Sequence, residues 1–178
     1  MRLASSAVIA AVGSFATLSS LGSGRNSPHV SIVAQPGGPS PLTPPMEFAA
    51  EVAGLVSFYG AADPARPFQT LAMSNALPPA ETDQFSLEER NLLLFDGIAT
   101  TKMLGTAVQL ERMITTYQTS ASGADDTAYL DVTTLLTLLY LRYSFRVRMM
   151  NRYPRHKLAN DGTRFGPGQA VMTPKLGK

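Results

Sequence analysis

The chain has thirteen prolines in 178 residues, yet none falls between Pro79 and Pro154. Proline removes an amide donor and clashes with the preceding helical turn, so only a proline-free stretch can carry long unbroken helices. Ser86-Leu87-Glu88-Glu89 opens this stretch with a capping box, in which the Ser86 hydroxyl and the Glu89 carboxylate each satisfy the other residue's amide. The pattern predicts one helix over residues 87–118 and a second over 126–153. The turn TSASGADD joins them, with Asp125 or Asp126 as the new N-cap. At 1.5 Å per residue each helix would run roughly 40–50 Å, and the short turn would fold them into an antiparallel hairpin. Gly97, Thr101 and Gly105 recur one turn apart, a spacing that predicts close helix–helix packing at those three positions.

The predicted second helix changes character along its length. Residues 129–157 read YLDVTTLLTLLYLRYSFRVRMMNRYPRHK, apolar first and basic last. Val132, Leu135, Leu136, Leu139, Tyr143, Val147 and Met150 form one stripe, while Leu138, Leu141, Phe145 and Met149 cover much of the opposite side. The apolar part is too short to cross a bilayer alone, so it is expected in a core. Arg142, Arg146, Arg148, Arg152, Arg155 and Lys157 then interleave with aromatic side chains. Such a surface suits an acidic protein partner, a lipid headgroup layer or nucleic acid, since guanidinium groups pair with carboxylate and phosphate alike.

Charge is partitioned in the same sense. Residues 1–131 carry 6 basic and 12 acidic side chains; residues 132–178 carry 9 basic and 1 acidic. Charged residues make up 16% of the chain, against about 25% in ordinary soluble domains, which predicts a surface largely covered by lipid or by other subunits.

Between Arg2 and Arg25 there is no charged residue. An uncharged run of about 22 residues is long enough to span a bilayer as a helix, although serines such as Ser5, Ser6, Ser14, Ser19 and Ser20 dilute it. It is expected here to be a retained anchor rather than a cleaved leader, with Ser6, Ala10 and Ser14 spaced to admit a neighbouring helix. Residues 25–46 hold six prolines and the pair Gly37-Gly38, and are expected to run as an extended arm ordered by neighbouring subunits. Helical spacing returns from Glu47 to Tyr59, and Gly60 with Asp63-Pro64 ends it.

No signature of catalysis occurs. The chain lacks cysteine, and its two histidines, His29 and His156, have no carboxylate at ligand or triad spacing. HExxH, GxSxG, GxxxxGK[ST] and GxGxxG are all missing. Glu88 and Glu89 diverge on a helix and are accounted for by capping. No catalytic residue, metal site or cofactor is expected.

Together these features predict an all-α protein: an apolar N-terminal helix (1–24), an extended Pro-rich arm (25–46), short helices and turns (47–82), a long helical hairpin (83–153) and an irregular basic tail (154–178). The expected role is a non-catalytic structural subunit of a large multi-protein assembly. The favoured setting is a membrane-embedded energy-converting complex in the mitochondrial inner membrane. The alternatives are a virion structural protein, capsid or head–tail connector, and an accessory subunit of a ribonucleoprotein. Expected partners are other protein subunits, then lipid headgroups, then nucleic acid.

Overall fold

The computed structural model describes residues 7–38, 40–164, 166–168 and 170–173. It divides into two units, Met1–Leu139 and Tyr140–Lys178. The first is an α/β unit, and this overturns the all-α expectation.

The uncharged N-terminal run is not one helix. Ala7–Ala11 form strand β1, and Phe15–Ser23 form helix α1 after a break at Val12-Gly13-Ser14. β2, Val30–Ala34, lies parallel to β1, so residues 7–34 make a β-α-β unit. The run lacks charge because its strand and helix face a core: Ala11 and Leu18 are buried. No helix among the described residues is long and apolar enough to cross a membrane, so the predicted anchor is withdrawn. Met1 to Ser6, which the anchor included, lie outside the described residues.

The proline-rich arm is corrected in the same way. Its centre is β2, flanked by Pro28 and Pro36, and Ile32, Val33 and Ala34 are buried in the sheet rather than laid along a neighbour. Pro45 then starts helix α2, Pro45–Ala62, from the first helical turn, where a missing amide costs nothing. The short β3, Ala72–Met73, follows, then a single 3-10 turn at Glu81–Asp83.

The capping box forms as the sequence predicts: the Ser86 hydroxyl accepts the Glu89 amide at 3.2 Å, and the Glu89 carboxylate accepts the Ser86 amide at 2.8 Å. Helix α3 runs only from Leu87 to Phe95, however. Gly97 turns the chain with φ +77°, and β4 (Ile98–Leu104) and β5 (Ala107–Arg112) form a hairpin around Gly105-Thr106. The predicted first helix of the hairpin is thus a helix followed by two strands. Helix α4, Val132–Arg152, is the predicted second helix with a later start, and Pro154 closes it by disfavouring helical backbone just before it.

The sheet order is β1-β2-β4-β5-β3. β2 pairs parallel with β4 through Ile32↔Ile98 and Val33↔Ala99, whereas β4 pairs antiparallel with β5. β4 pairs with β2 through Ile98 and Ala99 and with β5 from Thr100 on, and the register shifts between Thr100 and Thr101, where Glu111 is an extra residue in β5. Because side chains alternate across a strand, neighbours in β2 and β4 serve different layers. Ile32, Ala34 and Ile98 pack with Leu18 of α1 and Leu93 of α3. Val33, Ala99, Val108 and Leu110 pack with Phe48 and Val52 of α2 and with Val132 and Leu136 from the start of α4.

In the second unit, β6 (Lys157–Leu158) pairs parallel with β7 (Val171–Met172). A minimal ladder therefore replaces part of the tail expected to be irregular.

Candidate assembly surfaces

The three small residues expected at a helix–helix contact do not share a helix. Gly97 sits in the α3–β4 turn, where an added Cβ would lie 2.8 Å from the Gln118 amide nitrogen and 3.2 Å from the Thr116 Cα. Thr101 lies in β4 and donates its hydroxyl to the Ala34 carbonyl at 3.4 Å. Gly105 serves the β4–β5 hairpin turn, whose positive φ is what tight hairpins require. The glycine spacing was real, but it marked turns.

The basic residues are brought together in the second unit. Arg142, Arg146, Arg148 and Arg152 all project from the distal half of α4, and all are exposed. Arg155 follows with φ +59°, and Lys157 lies in β6 with its amide bonded to the Ala170 carbonyl at 3.0 Å. The Arg152 guanidinium lies 5.8 Å from the centre of the Tyr153 ring, within cation–π range. Several large apolar side chains are exposed among these arginines. Leu138, Leu141 and Phe145 are 46%, 56% and 63% exposed, and fall at i, i+3 and i+7, one face of the helix. At 3.6 residues per turn Arg142 and Arg146 flank that face on one side and Arg148 on the other, while Arg152 falls on the face itself.

A second surface lies in the first unit and was not legible in the sequence. A groove of about 460 Å³ runs between α3 and residues 117–130. Leu94, Phe95, Tyr117 and Leu130 form its apolar walls, with Asn91 and Asp125 among its polar ones. Phe95 is 83% exposed at its rim, and Glu88 and Leu92 continue the outer stripe of α3 at helical spacing.

Residues 117–130 have no regular structure, and side chains hold them in place instead. Asn26 bonds the backbone of Gln118 and Thr119, and the Thr115 hydroxyl donates to the Tyr129 carbonyl at 2.8 Å. The Tyr117 hydroxyl donates to the Asp126 carboxylate at 2.6 Å, and the Tyr117 and Tyr129 rings meet edge to face. That bond holds the Asp126 carboxyl below its ordinary value, helped by the Ala128 amide. It also raises the Tyr117 phenol above its ordinary value. Arg112, at the groove's edge, pairs with Asp131 at 3.1 Å. The groove is therefore built, with apolar walls and one carboxylate, Asp125, and one cation, Arg112, among its lining residues. Among its lining residues no nucleophile is paired with a base.

No protein-family model matches the chain. Over 130 residues, 72% of its length, it is 52% identical to the Mu-like prophage FluMu tail sheath protein of Haemophilus influenzae. The chain spans only about a quarter, 26%, of that curated relative's length. The fold is shared with the sheath tail protein of Desulfitobacterium hafniense, at a TM-score of 0.56 and 15% identity. That alignment covers 82% of this chain and 32% of the other. These likenesses, with the β-α-β unit where an anchor was expected, overturn the mitochondrial inner-membrane setting.

Proposed function

We propose that this chain is a structural, non-catalytic component of a virion, and that it forms part of a sheath around a phage-type tail. The observation that carries this reading is the 52% identity to a tail sheath protein over most of the chain. A likeness in fold alone would say much less. The surfaces agree with a building block. Exposed apolar side chains lie along a basic helix and at the rim of an apolar-walled groove, as in a protein whose neighbours complete it. The capsid and connector variants of the virion reading have no such support.

Within this reading the arginines of α4, with Arg155 and Lys157, face another protein subunit. Exposed leucine and phenylalanine beside arginine fit a protein interface better than a phosphate backbone, which needs charge without apolar anchors.

Immunogold labelling of purified particles with antibodies against residues 7–139 tests the assignment. Gold spaced along the tails is the expected result. Gold on heads alone, or recovery of the antigen only in the host membrane fraction, would remove it.

A further inference from the structure

We infer that Asp161 is a site of spontaneous isomerisation to isoaspartate in the folded protein, and that the same dipeptide at Asp96 is protected by its packing. The inference concerns a covalent change in the chain itself and does not rest on the sheath reading.

The chain holds two Asp-Gly pairs, Asp96-Gly97 and Asp161-Gly162. Such a pair is reactive because glycine has no Cβ to hinder approach of its amide nitrogen to the preceding side chain. The glycine nitrogen attacks Cγ of the protonated aspartate carboxyl. The N–Cγ bond forms, and the amide proton leaves with the carboxyl hydroxyl as water, giving a cyclic succinimide. Water then adds to one of the two ring carbonyls. Opening at Cγ restores aspartate. Opening at the main-chain carbonyl carries the backbone through Cβ and Cγ and leaves the α-carboxylate as the side group. Water is lost once and gained once, so no other reactant is needed.

The glycine nitrogen must turn onto Cγ, so the peptide plane between the two residues has to rotate. Asp96-Gly97 lacks that freedom. Gly97 is buried, and its amide donates to the Leu94 carbonyl at 3.3 Å. A Cβ added at Gly97 would lie 3.2 Å from the Thr116 Cα, and one added at Gly22 would collide with the Asp96 carbonyl oxygen. The peptide is thus held between α1 and the segment that carries Thr116.

Asp161-Gly162 stands at the opposite limit. Both residues are exposed, in a turn closed by the Thr163 amide and hydroxyl on the Asn160 carbonyl, at 3.3 and 2.8 Å. Both bonds run between Asn160 and Thr163, so neither engages the Gly162 amide. A Cβ added at Gly162 would meet nothing within 4 Å. Exposed turns of this kind open locally at the least cost. Isomerisation lengthens the main chain by one carbon in the segment that joins β6 to β7, so the second unit acquires a covalent record of its age.

Incubation of the full folded chain for several weeks at neutral pH and physiological temperature tests this. Isoaspartate is read by methyl transfer from labelled S-adenosylmethionine with an isoaspartyl methyltransferase, followed by peptide mapping. Label is expected at Asp161, rising at least about tenfold faster than at Asp96, the ratio that about 1.4 kcal/mol of protection by packing gives. In concentrated urea the two rates should converge. Asp161→Glu, which would need a larger and less favourable ring, should lose the label from its peptide. Unchanged peptide mass separates isomerisation from deamidation of the adjacent Asn160, which raises it. Similar rates at the two pairs in the folded chain, or no label at Asp161, would overturn the inference. A gap that persists in urea would do the same, by tracing the difference to flanking residues and not to packing.

Discussion

Asn26 and Thr119 are 93 residues apart in sequence, yet the Asn26 side-chain amide donates to both the Thr119 carbonyl, at 2.8 Å, and the Thr119 hydroxyl, at 2.7 Å. The Asn26 side-chain oxygen in turn accepts the amides of Gln118, at 2.9 Å, and Thr119, at 3.3 Å. A loop ahead of β2 thus clamps the floor of the groove through one side chain. Asn26→Ala removes all of these bonds at an exposed site, where water replaces part of what is lost. Unfolding in urea should show a loss of about 1–2 kcal/mol, with the midpoint lowered and the slope unchanged. Asn26→Asp keeps the acceptors and loses the donor, and should fall between the two.

Gly22 of α1 abuts the turn after α3. A Cβ there would lie 2.2 Å from the Asp96 carbonyl oxygen and 2.7 Å from Ile98 Cγ1, and backbone cannot give way as a flexible side chain can. Gly22→Ala should cost about 1–3 kcal/mol or more by overpacking. Gly54, within α2, is the control: a Cβ there meets nothing within 4 Å. Gly54→Ala should stabilise by about 0.5–1 kcal/mol through helix propensity and lost unfolded-state freedom. Thermal melts that moved the same way for both variants would contradict this account of α1–α3 packing.

These two glycines show what could be read from sequence and what could not. The capping box at Ser86 and Glu89, the α2 helix and the end of α4 before Pro154 were legible because each depends on residues a few positions apart. The β4–β5 hairpin was misread because a proline-free stretch permits strands as well as helices, and Gly97 and Gly105 also fit a helical interval. Val108 and Leu110 alternate with polar neighbours, and that period of two was the overlooked strand signal. β2 was hidden because prolines bracket it, although its Val30-Ser31-Ile32-Val33 core is rich in β-branched residues. The groove could not have been found, since Phe95, Tyr117 and Leu130 meet only through tertiary structure.

The bond between Tyr117 and Asp126 gives stability two pH limits. The Asp126 carboxyl is lowered, chiefly by the Tyr117 hydroxyl. Its contribution is present above the unfolded carboxyl value of about 3.9 and is lost as pH falls through the lower folded value. The Tyr117 phenol is raised, chiefly by the same bond. Its contribution is present below about pH 10 and is lost as pH rises through the higher folded value. Tyr117→Phe keeps the ring contact with Tyr129 and removes the bond. The variant should lose less stability than wild type at both the acid and the alkaline end, measured by urea midpoints from pH 2 to 11. Parallel curves for the two proteins would show that the bond does not form in solution.

Helix α4 changes role along its length, and that change can be measured. Leu136 is 5% exposed and packs in the core with Val132, Phe48 and Phe68, where its Cδ1 would lie 2.8 Å from a Cβ added at Gly60. Leu141 lies five residues later and is 56% exposed. Leu136→Ala leaves a cavity beneath α2 and should cost about 2–5 kcal/mol of folding stability. Leu141→Ala has no cavity to leave and should change stability by less than about 0.5 kcal/mol. Its effect belongs to association, which should weaken at concentrations where the wild type assembles. Chemical denaturation of the dilute monomer alongside sedimentation of the concentrated protein separates the two effects. A core-sized stability loss for Leu141→Ala would place that side chain inside its own chain, and the exposed anchor face of α4 would no longer stand.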